Sequence, residues 1–128
     1  MVMAEEKQAI VFVRDEISEL ILLVATEKGA FLYYSDSDRR HWDVNGPHFL
    51  GSVVHHLVLD PRDNKTLLAS VQSRQSGVTI YWSKDFGKTW NPATKPPAFP
   101  QDKLKRKVDH IYYLTPGHDS EGKVWYAG

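Results

Sequence analysis

Residues 83–90 read Ser-Lys-Asp-Phe-Gly-Lys-Thr-Trp, a pattern that predicts a tight turn between two β-strands. The five residues before it, Val-Thr-Ile-Tyr-Trp, are β-branched or aromatic, as strands prefer. Asp85 can accept hydrogen bonds from the backbone N–H groups just after it, and Gly87 can adopt a positive φ at little steric cost. The hydroxyl groups of Ser83 and Thr89 can join the two ends of the turn, while Trp90 buries a large ring beside it. We therefore interpret Asp85 as a structural residue and not as a catalytic one.

A weaker copy of this stretch lies earlier in the chain. Residues 29–42 align without a gap on residues 77–90, at an offset of 77 − 29 = 48 residues. The serine and the tryptophan of the copy, Ser35 and Trp42, fall at this same offset from their counterparts. Two landmarks at one spacing indicate an internal repeat.

We call residues 35–42 the first corner and residues 83–90 the second corner. The first corner departs from the second at three positions: Ser37 stands in place of the aspartate, Arg39 in place of the glycine and His41 in place of the threonine. We therefore expect a looser turn there, with Asp36 or Asp38 supplying the acceptor.

Shorter elements repeat at less regular spacing. Residues 56–59, His-Leu-Val-Leu, resemble residues 110–113, His-Ile-Tyr-Tyr, which lie 110 − 56 = 54 residues later. A period near fifty residues with several strands in each unit is typical of β-propeller blades. We therefore expect an all-β fold, a partial β-propeller of about two and a half four-stranded antiparallel blades.

The whole chain, residues 1–128, is expected to form one partial propeller domain. Blade one spans about residues 9–46, with strands near 9–14, 20–26, 29–35 and 42–45. Blade two spans about 52–95, with strands near 53–59, 66–71, 78–83 and 89–92. An incomplete blade three spans about 107–128, with strands near 108–114 and 123–128. Because propellers close with about four to eight blades, we favour an N-terminal portion of a longer protein. The alternatives are closure by association with other copies and a small β domain that shares only the motif. An exposed blade edge would favour self-association.

Composition restricts the classes of function. The chain has 16 basic and 16 acidic residues, and its zero net charge argues against a nucleic-acid binder driven by phosphate contacts. It has no cysteine, which excludes disulfides and cysteine ligands. The longest apolar run, residues 20–25, is too short to span a bilayer, and residues 1–8 lack the apolar core of a signal peptide. We therefore expect a soluble, cytoplasmic protein with no cofactor and with neither a membrane nor a nucleic acid as partner.

The second corner fits the pattern Ser-x-Asp-x-Gly-x-Thr-Trp and resembles the Asp-box hairpin of bacterial neuraminidase-repeat β-propellers. Residues 23–31, Leu-Val-Ala-Thr-Glu-Lys-Gly-Ala-Phe, resemble the usual opening of this family, and residues 125–128, Trp-Tyr-Ala-Gly, resemble the strand before its next Asp-box. The resemblance covers most of the chain and implies a sialidase-like or glycosyl-hydrolase-like protein. Its structural Asp-box residues would be Ser83, Asp85, Gly87, Thr89 and Trp90, with Ser35 and Trp42 in the weaker copy. Hydrolases and binding proteins share this fold, so the resemblance leaves the function open.

Catalytic residues implied by the resemblance are missing from this chain. Sialidases of the family use an arginine triad, an acid/base aspartate and a tyrosine activated by a glutamate. The first arginine normally lies in a Phe/Tyr-Arg-Ile-Pro motif before the first Asp-box, and residues 12–15, Phe-Val-Arg-Asp, do not match it. The remaining positions would lie in blades beyond residue 128. We therefore assign no catalytic residue.

Two histidines are candidates for a ligand site. His56 and His110 occupy equivalent positions in the first strands of two expected blades, and Asp109 lies beside His110. Because the first strand of a propeller blade lines the central channel, all three residues could face one ligand there; the alternative is a hydrogen-bonded histidine in the channel wall. His55 and His56 would point to opposite faces of a regular strand. With too few converging ligands for zinc, we expect no metal site.

Two functions remain. The first is a non-enzymatic Asp-box propeller that binds a carbohydrate or a protein on its channel face. The second is a sialidase-like glycoside hydrolase whose catalytic residues lie in downstream blades. The mismatch in the arginine motif favours the first function.

Overall fold

The structure, a computed structural model, describes residues 20–100 and 104–128 and is all-β in these ranges. Its strands form three antiparallel sheets, and one short turn of 3-10 helix lies at Asp119–Glu121. The first sheet contains β1 (Leu20–Thr26), β2 (Gly29–Ser35) and β3 (Trp42–His48); the second contains β4 (Val53–Leu59), β5 (Leu67–Ser73), β6 (Gly77–Ser83) and β7 (Asn91–Pro92); the third contains β8 (Leu114–Pro116) and β9 (Trp125–Ala127).

The strand predictions are confirmed most closely in the first two sheets. The structure gives β1, β2 and β4 the predicted bounds, whereas β3 extends to His48 and β7 begins only at Asn91. The strand predicted at residues 108–114 is wrong in its bounds, because β8 begins only at Leu114. Its partner β9 is three residues long, so residues 108–112 have no ladder to join. The strand predicted near residues 9–14 lies outside the described residues.

The second sheet lies between the other two and is buried on both faces. Alternation along β5 directs Leu67, Ala69 and Val71 into a cluster shared with the first sheet, which includes Leu32 and Tyr34. The intervening Leu68 packs with Ile111 and Leu114 in a second cluster, toward the third sheet. This arrangement explains why residues 67–71 are all buried and include only one polar side chain.

Few polar contacts attach the third sheet to the second. The hydroxyl of Ser70, which is fully buried, donates a hydrogen bond of 2.7 Å to the carbonyl oxygen of Ile111. Arg62, in the turn between β4 and β5, donates from Nη1 to the carbonyl oxygens of Gly122 and Val124, at 2.6 and 3.1 Å. Its Nη2 pairs with Oδ2 of Asp60 at 2.9 Å, so this side chain joins the turn of one sheet to the turn of the next.

Candidate functional site

The second corner is held together by the Asp85 carboxylate. Ser83 Oγ donates to Asp85 Oδ1 at 2.7 Å and accepts from Gly87 N at 2.9 Å. Thr89 donates twice to the same carboxylate, from its backbone N to Oδ1 at 2.9 Å and from Oγ1 to Oδ2 at 2.6 Å. Partial burial raises the pKa of Asp85, but the hydrogen bonds from Thr89 and Ser83 together lower it by more, so the net shift is downward. The carboxylate therefore stays ionised and serves the turn.

Trp90 extends this corner toward the first sheet. Its Nε1 donates to Nδ1 of His48 at 3.2 Å, and its ring lies 4.9 Å from that of Phe49, centroid to centroid. Burial lowers the pKa of His48, which favours the neutral imidazole that can accept at Nδ1. The corner thus connects two sheets through an aromatic contact and one hydrogen bond.

The first corner has a similar outline without the carboxylate network. Ser35 is buried like Ser83, but its Oγ donates to the carbonyl oxygen of His41 at 2.6 Å. The expected side-chain acceptor is replaced by the backbone, since Arg39 N donates to the carbonyl oxygen of Asp36 at 3.1 Å. Trp42 remains 40% exposed. The prediction of a looser turn agrees with these contacts, although its acceptor is not a side chain of Asp36 or Asp38.

A β-bulge in β4 changes the predicted orientation of the adjacent histidines. The register shifts between Val54, which pairs with Val71, and His56, which pairs with Ser70, so the backbone of His55 has no register partner on β5. Val54 and Leu57 both pack toward the first sheet although they are three residues apart. The prediction that His55 and His56 point to opposite faces is therefore wrong, because the extra residue interrupts the alternation.

Both imidazoles contact the chain segment that leads into the third sheet, but at different places. His56 accepts at Nδ1 from the backbone N of Leu114 at 2.9 Å and stacks on Tyr113, with centroids 4.8 Å apart and planes at 17°. Burial lowers the pKa of His56, in keeping with a neutral acceptor. His56 is therefore a hydrogen-bonded residue packed against the segment that leads into the third sheet, and its place in a propeller channel stays a prediction.

His110 is instead brought next to His55 and Tyr112. The centroid of its ring lies 5.6 Å from that of His55 and 4.7 Å from that of Tyr112, while the His55 and Tyr112 rings meet edge to face at 5.2 Å. We call these three residues the ring cluster. The structure therefore places His110 with His55, and the contacts of His56 are with other residues.

Polar groups border the ring cluster. His55 Nε2 lies 2.8 Å from Gln72 Oε1, and His110 Nε2 lies 2.8 Å from Asp109 Oδ2. Asp109 is largely exposed, and Tyr112 is 61% exposed. Asp109 and His110 were predicted from the sequence as site residues, whereas His55 was expected to face away and Gln72 was not predicted. The signal was available in part, because a spacing of three between the apolar residues 54 and 57 interrupts the alternation of β4.

A scan against models of protein families gives no match, and neither does a search of curated protein sequences. Among residues 20–100 and 104–128, no three histidine or acidic side chains gather as metal ligands would. The same part of the chain contains no helix with the length and apolar character needed to cross a membrane.

Proposed function

We propose that this chain contributes blades to an Asp-box β-propeller and works as a binding module, with a carbohydrate as the ligand of the ring cluster. Three antiparallel sheets packed in chain order, with matching corners after β2 and β6, support the propeller. The hairpin network around Asp85 supports the Asp-box interpretation, because every polar residue of the pattern has a role in the turn.

The observation that carries the choice of ligand is the exposed aromatic surface of the ring cluster. Tyr112 is 61% exposed although its ring contacts both histidines, so much of this aromatic side chain is open to solvent. Sugar rings stack on such surfaces through their apolar C–H faces, and their hydroxyl groups need polar partners nearby. Gln72, His55 and the Asp109 carboxylate supply those donors and acceptors at the rim.

Three turn carboxylates, Asp60, Asp63 and Asp85, do not favour a glycosidase acid. A general acid needs a raised pKa, as in the two-carboxylate mechanism. The pKa of Asp60 is lowered, chiefly by its hydrogen bond with Arg62. At Asp63, burial raises the pKa, but the hydrogen bonds from Thr66 and Lys65 lower it by more. With Asp85 in the same state, these groups are ionised turn residues.

Saturation-transfer NMR with a panel of methyl hexosides tests the proposal. We expect transfer from the protein to at least one sugar, and its loss in Tyr112→Ala, because the stacking surface is removed. Tyr126→Ala is the matched control, since Tyr126 is 55% exposed and lies on β9 away from the ring cluster. Transfer that is absent for every sugar, or equal in Tyr112→Ala and the parent, would contradict binding at this site. Hydrolysis of a fluorogenic sialoside would favour the glycosidase alternative; we expect none.

A further inference from the structure

A second concave site lies between the second and third sheets, at the opposite end of β5 from the ring cluster. This groove has a volume of about 540 Å³, which is within the range of small-molecule sites. Its apolar lining comes from Leu68, Trp82 and Trp125. Leu68 and Trp82 are cross-strand partners on β5 and β6, so they present one continuous face. Gln72, which borders the ring cluster, lies four residues further along β5, since 72 − 68 = 4.

Three lysines, Lys65, Lys84 and Lys123, line the same groove. The ammonium group of Lys84 lies over the Trp82 ring, 5.4 Å from its centroid. Within the described residues, none of the three forms an ion pair with a carboxylate.

The two carboxylates of the groove are already engaged. Asp60 accepts from the side chain of Arg62 through both of its oxygens, at 2.9 Å each. Asp63 accepts from the backbone N of Lys65 and of Thr66, and from the Thr66 hydroxyl. Hydrogen bonds from neutral donors leave the charge of Asp63 in place, but the three lysines and Arg62 still exceed the two carboxylates by 4 − 2 = 2 positive charges, and this excess favours an anion.

A positive charge also lies next to the indole ring of Trp125. The guanidinium of Arg62 lies 5.3 Å from the centroid of the Trp125 ring. A ligand in the groove thus meets two indole rings, each with a cation over one of its faces. The shape suits a planar ring, and the charge suits a carboxylate, sulfonate or phosphate attached to that ring.

We propose that this groove is a binding site for a small organic anion with a flat apolar body. The site is separate from the ring cluster, and the proposal does not depend on the proposed function. The probe is 2-naphthalenesulfonate, with 2-naphthalenesulfonamide as the neutral analogue of nearly the same shape.

The experiment is a titration of the full chain followed by the indole N–H signals in ¹H–¹⁵N NMR spectra. The chain has four tryptophans, and two of them line the groove. We expect the signals of Trp82 and Trp125 to move in a saturable way, while those of Trp42 and Trp90 stay in place. The sulfonamide should bind more weakly than the sulfonate, and added salt should weaken only the sulfonate.

Charge variants locate the anion. We expect Lys84→Gln and Lys123→Gln each to raise the Kd for the sulfonate by about two- to fivefold, the range expected for exposed charge pairs. Lys28→Gln is the matched control, because Lys28 is an exposed lysine in the turn between β1 and β2 of the first sheet, and it should leave the Kd unchanged.

Several results would overturn the proposal. Equal movement of all four indole signals would indicate non-specific binding. Equal Kd values for the sulfonate and the sulfonamide would remove the role of charge, as would unchanged affinity in both lysine variants. Movement of the Trp82 and Trp125 signals with protein concentration alone, together with a dimer mass in light scattering, would assign the groove to a second copy of the chain instead.

Discussion

The two corners occupy equivalent places in the fold but are stabilised by different hydrogen bonds. Each comes after a seven-residue strand that ends in a buried serine. Gly87 has a φ of 81°, and Arg39, its counterpart 87 − 39 = 48 residues earlier, has a φ of 57°. Both turns therefore use the left-handed region at the same position. The two corners therefore share the path of the chain, whereas the carboxylate network is found in the second corner and not in the first.

The largest difference is expected on removal of the carboxylate. Asp85→Ala deletes an ionised acceptor of three hydrogen bonds from Ser83 and Thr89. We expect the free energy of unfolding to fall by about 2 kcal/mol or more, as for a hydrogen-bonded charged group. Ser37→Ala is the matched change in the first corner and should stay within about 0.5 kcal/mol of the parent. Urea unfolding measures the free energy of both variants. If Asp85→Ala loses no more stability than Ser37→Ala, the carboxylate network does not stabilise the second corner.

The left-handed position should respond in opposite directions in the two corners. Gly87→Ala is expected to destabilise the chain by about 1 kcal/mol or more, because a Cβ is strained at this φ and would lie 3.3 Å from His48 Cε1. Arg39→Gly relieves the same backbone strain and should stabilise by about 0.5 kcal/mol, after the greater freedom of glycine in the unfolded chain is subtracted. Thermal and urea unfolding of the pair test this; a loss in Arg39→Gly would show that its turn is held by the arginine side chain.

The smallest expected effect is a pH dependence of the second corner. Burial lowers the pKa of His48, and its Nδ1 accepts from Trp90. In the folded chain the imidazole therefore binds a proton less readily than in the unfolded chain, where the pKa is near 6.5. This contribution to stability is complete above that value and is lost as the pH falls through the lowered pKa.

The midpoint of urea unfolding should therefore fall as the pH is lowered from 7.5 to 5. His48→Gln should reduce that slope, with the His56 contribution remaining because burial lowers the pKa of His56 as well. His41→Gln in the first corner is the control, because His41 is exposed and only its backbone carbonyl bonds Ser35. A slope that His41→Gln reduces as much as His48→Gln would exclude this explanation.

Sequence patterns predicted the first two sheets well because side-chain chemistry there matches the backbone. Residues 27 and 28 form the turn between β1 and β2, and residues 30–34 of β2 are all apolar or aromatic, so the bounds of both strands could be predicted. The orientation of His55 could not be predicted from a regular alternation, since one unpaired residue in β4 reverses the face on which the later residues of the strand lie. The groove depends on distant residues, such as Trp82 and Trp125, that only packing brings together.

Arg62 contributes to the local stability of the third sheet. A two-stranded sheet such as β8 and β9 is marginal by itself in water, so its order depends on its attachments to the second sheet. Those attachments include the hydrogen bonds from Arg62 to the carbonyl oxygens of Gly122 and Val124, and the hydrogen bond from Ser70 to that of Ile111. Loosening them would let the third sheet open as a unit while β5 stays folded. The amide protons of Gly117 and Gly128 would then exchange with solvent through this partial opening, and those of β5 only through global unfolding.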